Sequence, residues 1–268
     1  MVRVLSALVL LPVVLAAIWF LTSIQLLLVV EAVLVLAFAE YARLAAAMGA
    51  RLPKAAAGAA AVATCAVLAW PGAPVEVPLM AAVIALAALV LAMRQPGPTV
   101  LAEVSASVFG AVYLGLPLGA LVAIHATVGR EAVLLLLFTV IASDTAQYYT
   151  GRLAGRRLLA PAISPKKTIE GAIGGFAGGM ALVAILGRWW LPAVPVGWRL
   201  ALGAILVGLG IIGDLFESLL KRSAGVKDSS GLIPGHGGML DRIDALLFAA
   251  PAYYVFLRYG VFATATGN

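Results

Sequence analysis

The residues able to do chemistry in this 268-residue chain fall into two stretches. Residues 210–244 hold four of the five aspartates, Asp214, Asp228, Asp241 and Asp244, together with Ser218, His236, Lys221, Arg222 and Lys227. Residues 143–171 hold the fifth, Asp144, followed by Ser164, Pro165, Lys166, Lys167, Thr168 and Glu170. Read as helix, 210–222 places Gly210, Asp214, Glu217, Ser218 and Lys221 at three- or four-residue steps along one polar stripe. Asp241 and Asp244 are three apart and share a face of the next helix. The intervening SAGVKDSSGLIPGHGG is rich in Gly, Ser and Pro and is expected to be a loop that turns back, bringing Asp214 close to Asp241.

Several carboxylates at a membrane edge repel one another and are costly to desolvate. A hard cation relieves both, and oxygen donors without a histidine or cysteine cluster favour Mg²⁺ over Zn²⁺. Lys166, Lys167, Lys221, Arg222 and Lys227 suit a polyphosphate, whose oxygens commonly complete such a metal's shell. In SPKKT, Pro165 fixes the backbone, while Ser164 and Thr168 set hydroxyls beside two ammonium groups and Glu170, a pattern suited to clamping an anion. Plainer readings stand beside these. The islands could form a salt-bridged cap between helices, Asp144 an interhelical polar contact, and the two lysines a site for lipid head groups. His236 could donate to phosphate or act as an acid, or simply pack the loop.

The elements that must position these residues are apolar. A 63% hydrophobic share with 11% charged residues departs from soluble composition, where about a quarter are charged. The mean hydropathy of +1.09 comes from several runs, as in a polytopic membrane protein. Nine spans are expected, near 4–22, 25–47, 56–71, 77–93, 101–124, 131–150, 171–186, from 199 into Asp214, and 243–259. The first reads as retained, since no small-residue cleavage site follows it. Three regions follow: 1–98 (N-terminal helices), 99–170 (middle helices and SPKKT), and 171–268 (C-terminal helices with the 210–244 island). Pro117 is expected to kink or break the fifth span. Glu40, near the end of the second with Arg43, reads as an interfacial anchor or a functional carboxylate. GAIGGFAGG (171–179) puts glycines at helical spacing, suited to close helix packing rather than to a phosphate loop. Lone Cys65 excludes an internal disulfide and a multi-cysteine metal site.

The net charge of +6 reflects membrane topology rather than nucleic-acid binding. With the N-terminus inside, the inner junctions collect fourteen of the eighteen Lys and Arg residues, and the outer ones only Arg130, Arg188, Arg199 and Arg258. The C-terminus is then outside, and both polar islands lie in the cytoplasm.

The segment S-L-L-K-R-x4-K-D-x-x-G-x-x-P-G-H-G-G-x-L-D-R-x-D from Ser218, with GDLFES, SDTAQYYTGRLAGRR and SPKKTIEGAIGG, resembles the phosphatidate cytidylyltransferases, or CDP-diacylglycerol synthases. The resemblance is specific over about 141–180 and 208–246. It implies an all-helical membrane enzyme, a homodimer in the inner membrane of a prokaryote, that joins CTP and phosphatidate into CDP-diacylglycerol and pyrophosphate. It implies Mg²⁺ and a second site for K⁺, with Asp214 and Asp241 as metal ligands and Asp144 and Asp244 close by. The SPKKT lysines and the Lys221–Arg222–Lys227 group would contact substrate phosphates, with Asp228 and His236 in the same signature. Two other classes compete: a secondary transporter of an anionic substrate, which should carry polar groups at mid-membrane, and another Mg²⁺-dependent lipid phosphotransferase. A CDP-alcohol phosphotransferase would show a DG-x2-AR aspartate array, which this chain lacks.

Overall fold

In lipid a single segment can satisfy its backbone polar groups only as a helix, and each of the nine apolar runs is helical. The computed structural model describes residues 2–70, 72–93, 96–232 and 237–260; His236 lies outside them. In order come α1 (Val2–Phe20), α2 (Ser23–Ala47), α3 (Lys54–Ala69), α4 (Glu76–Met93), α5 (Val100–Gly110), α6 (Leu116–Thr127), α7 (Arg130–Ala154), α8 (Ile169–Trp190), α9 (Val196–Ser223) and α10 (Leu240–Tyr259). By length and composition five stretches can cross a membrane: Ser23–Ala47, Val100–Thr127, Arg130–Ala154, Ile169–Trp190 and Val196–Ser223. Leu8–Phe20, Lys54–Ala69 and Glu76–Ala92 are shorter apolar helices. The chain is an integral membrane protein with a helical fold.

The chain divides into two compact units, residues 1–126 with 220–243, and 127–219 with 244–268. In the first, α2 opens with a capping box in which Thr22 and Gln25 satisfy each other's backbone amides. The break expected at Pro117 takes the form of a π-helical turn, Ala111–Gly115, joining α5 to α6. Proline supplies no N–H to the carbonyl four residues back, and the wider turn absorbs the mismatch. Here α3 comes very close: a Cβ on Gly115 would lie 2.6 Å from the Ala61 carbonyl, and one on Gly119 2.7 Å from that of Cys65.

In the second unit α7 and α8 pack closely against each other. Gly171, Gly174, Gly175 and Gly178 face α7 as helix-packing residues, and Gly179 meets Val207 of α9: a Cβ on Gly178 would sit 2.7 Å from Ala146 Cβ, one on Gly175 would strike the Gln147 side chain, and one on Gly179 would strike Val207. Gly178→Leu is therefore expected to lower the unfolding temperature of the detergent-solubilised protein, with a cost of at least about 1–3 kcal/mol from overpacking. An unchanged melting profile would contradict this packing.

Between α7 and α8 lies one element the composition conceals. Residues 158–168 form a two-stranded antiparallel hairpin, β1 (Leu158–Ala160) and β2 (Ser164–Thr168), paired Leu158 to Thr168 and Ala160 to Ser164. The SPKKT segment is thus a strand. Pro165 is tolerated because a two-stranded sheet has only edges. Thr168 ends β2 and caps α8, its Oγ1 accepting the Gly171 N–H at 3.0 Å.

Candidate active site

In the second unit, α7 presents Asp144, Gln147, Tyr148, Gly151 and Arg152 along one face, at steps of three and four residues. Opposite stand Ser164, Lys166 and Lys167 of β2, Thr168, Gly171 and Ala172 at the start of α8, and Asp214 of α9. Together they line a cavity of about 500 Å³. Lys167 is ion-paired with Asp214, their side chains 22% and 30% exposed, so the pair stays reachable from water. Ser218 Oγ is 3.5 Å from the other Asp214 oxygen, and Gln147 donates to Asp144 Oδ1 at 3.3 Å. Two acids facing two lysines and an arginine make a cavity of mixed sign, suited to an anion that brings a cation with it. Glu170 is not among the residues lining this cavity. Its Oε2 accepts the N–H groups of Arg156 and Arg157 at 3.0 and 3.2 Å and so fixes the entry to the hairpin.

In the first unit Lys221, Ser229 and Gly238 gather around Asp241. Lys221 pairs with its Oδ1, while Oδ2 accepts the Ser229 N–H at 3.0 Å, the Ser229 hydroxyl at 2.7 Å and the Gly238 N–H at 2.7 Å. Burial alone would raise this carboxyl's pKa. The Lys221 hydrogen bond, the Gly238 amide, the Ser229 hydroxyl and the charge of Lys221 outweigh it and hold the pKa down at about 2. Since the folded value lies below the unfolded one, near 3.8, the stabilisation is complete above about pH 4 and is lost as pH falls toward 2. The shift corresponds to about 2 kcal/mol. Thermal unfolding followed from pH 6 to pH 2 should show this loss in the wild type and a shallower slope in Asp241→Asn; parallel slopes would contradict the assignment.

Arg222 is exposed and donates to the Val226 carbonyl at 3.0 Å; Lys227 and Asp228 are exposed on the following turn. Asp244 belongs to the second unit, where its Oδ1 accepts the Ala245 N–H at 2.7 Å. Asp214 and Asp241 fall in different units, each paired with a lysine of its own. Among the described residues no three His, Cys, Asp or Glu side chains form a metal-holding group. Asp144 and Asp214 on one cavity nevertheless fit Mg²⁺, which commonly takes one or two carboxylates and completes its shell with phosphate oxygens and water.

Two residues gain weight that their spacing did not give them. Arg152, counted among the topological charges, lines the cavity. Glu40 is 1% exposed and, far from anchoring at an interface with Arg43, accepts hydrogen bonds from Ser229, Ser230, Met239 and Leu240. Its only sequence signal was a carboxylate at the end of an apolar helix.

Comparison with known proteins matches residues 1–260 to the cytidylyltransferase family. The chain is 36% identical over 201 residues to a phosphatidate cytidylyltransferase of Helicobacter pylori, covering 72% of this chain and 71% of that protein. It is 50% identical over 119 residues to a phosphatidate cytidylyltransferase of Synechocystis, covering 43% and 39% of the two. It is 44% identical over 132 residues to the uncharacterized protein YnbB of Escherichia coli, covering 49% and 44%. The chain thus spans less than half the length of these last two relatives.

Proposed function

The chain belongs to the cytidylyltransferase family, and from that premise we propose that it transfers the cytidylyl group of CTP to phosphatidate, giving CDP-diacylglycerol and pyrophosphate. The observation that carries this reading is the cavity in which Asp144 and Asp214 meet Lys166, Lys167 and Arg152. The relatives from Helicobacter pylori and Synechocystis, whose names state that activity, support it.

The nucleophile needs no base from the protein. A phosphomonoester's second pKa is about 6, so the phosphatidate phosphate is mostly dianionic near neutral pH. One of its oxygens bonds to the α-phosphorus of CTP as the bond from that phosphorus to the bridging β-oxygen breaks, and both electrons leave with pyrophosphate. What the protein must supply is neutralisation of two anions and alignment. Lys166, Lys167 and Arg152 are the cations on the cavity wall, and the ammonium of Lys167 is held in place by Asp214. Asp144 and Asp214 would hold Mg²⁺; bound there, the ion would lower the charge on the polyphosphate and stabilise the leaving group. The signature cations Lys221, Arg222 and Lys227 serve the substrate phosphates.

We place both polar islands on the cytoplasmic side of the inner membrane, with nine crossings and an inside N-terminus, on the strength of the fourteen-to-four distribution of basic residues. This lets soluble CTP meet a lipid whose acyl chains stay in the bilayer. A homodimer and a second, K⁺ site complete the reading. The test is pyrophosphate release from CTP by purified protein in mixed micelles. It should require phosphatidate and stop when EDTA removes the divalent ion. Release unaffected by omitting phosphatidate would defeat the proposal.

A further inference from the structure

We propose that Glu40 of α2 is a positioning residue that clasps Ser229 and Ser230 together with Met239 and Leu240 and thereby sets the geometry of the Lys221–Asp241 pair; the catalytic part of this rests on the cytidylyl-transfer reading above. Both of its oxygens are occupied. Oε1 accepts the Ser230 hydroxyl at 2.5 Å and the Met239 N–H at 3.0 Å; Oε2 accepts the Ser229 hydroxyl at 2.8 Å and the Leu240 N–H at 2.8 Å. Because α10 begins at Leu240, the two amides belong to its N-terminal end, where N–H groups lack partners within the helix. A carboxylate here is favoured by the helix dipole, and it comes from 200 residues away in sequence.

The clasp passes directly to the signature. Ser229 Oγ lies 2.8 Å from Glu40 Oε2 and 2.7 Å from Asp241 Oδ2, so one hydroxyl proton bridges the two carboxylates. A Cβ on Gly238 would strike both Ser229 and Glu40, so the backbone at Gly238 approaches the carboxylate without space for a side chain. At Glu40, 1% exposed, water cannot take over these hydrogen bonds. Glu40→Gln keeps the volume but sets an NH₂ against hydroxyl and amide donors, which the clasp cannot accommodate. Ser229 and Asp241 then lose their shared reference, and Lys221 with them.

The test uses the full chain in detergent, comparing wild type with Glu40→Gln and Glu40→Ala. Hydrogen exchange of the Met239 and Leu240 amides should accelerate at least 10-fold in both variants. The kcat per folded molecule should fall at least 10-fold, while KM for phosphatidate stays within about twofold, a split that a merely structural role would not produce. Amides that exchange as in the wild type would overturn the clasp. An unchanged kcat per folded molecule would overturn the positioning role even if the folded fraction fell. A wild type that makes no liponucleotide would sink the catalytic part together with the function it rests on, and the exchange measurement would still decide the clasp.

Discussion

Asp214→Asn is expected to reduce cytidylyl transfer by at least about 100-fold while leaving the protein folded. The size follows from what the substitution removes from the cavity. Asp214 is one of two carboxylates available there for a divalent ion, and it holds Lys167 in place through an ion pair. Loss of a preorganised charge aimed at a transferring phosphoryl group typically costs two to three orders of magnitude. The folding cost is small by comparison. At 30% exposure for the acid and 22% for its lysine, the ion pair is screened, and its removal should cost no more than about 1 kcal/mol. Steady-state kinetics on variants matched for unfolding temperature give the answer. Lys167→Ala should also lose activity, though less, because Lys166 and Arg152 remain on the cavity wall. Near-wild-type turnover in Asp214→Asn would remove this cavity from the chemistry.

Lys221→Met should have the largest effect on stability. The Lys221 and Asp241 side chains are 11% and 6% exposed, so removing the ammonium leaves a carboxylate buried against two backbone amides and a hydroxyl. Breaking such a pair from one side costs about 3–5 kcal/mol, because the surviving charge keeps its hydrogen bonds but loses its counter-ion where water cannot replace it. Replacing both partners is different: Lys221→Met with Asp241→Asn should recover most of that loss, giving a strongly non-additive cycle. Activity should not return with it, since the basic and acidic groups are both gone. Chemical or thermal unfolding of the three variants measures the cycle, and simple additivity would contradict the pairing. Comparing stability with turnover in the same variants separates the structural role of this pair from its chemical one.

What could be read without coordinates was what local chemistry repeats along the chain. Each apolar run is long enough to be a helix, and all nine are helical. The grouping of Asp144 with SPKKT and Asp214 was legible because both stretches are polar islands at the ends of apolar runs, and the structure lines one cavity with them. The glycines of 171–179 announced a close helix contact by their spacing, and α7 fills it except at Gly179, which meets Val207 of α9. Three features were not legible. The strand at SPKKT is hidden because Pro165 and two lysines have low strand propensity, and the pairing with Leu158–Ala160 is decided by the ends of α7 and α8. Glu170 stands in the motif like a phosphate-site residue, yet its partners are the backbone amides of Arg156 and Arg157, which composition cannot mark. Glu40 is separated from the segment it clasps by 189 to 200 residues, and no local pattern records a contact so distant.

The most direct measurement follows the label from CTP carrying ³²P in either the α or the γ position, incubated with purified protein, phosphatidate and Mg²⁺. Label from the α position should appear in a chloroform-soluble liponucleotide, and label from the γ position only in water-soluble pyrophosphate. Transfer of the γ label into lipid would make the enzyme a phosphoryl transferase, and absence of α label from the lipid fraction would contradict cytidylyl transfer outright.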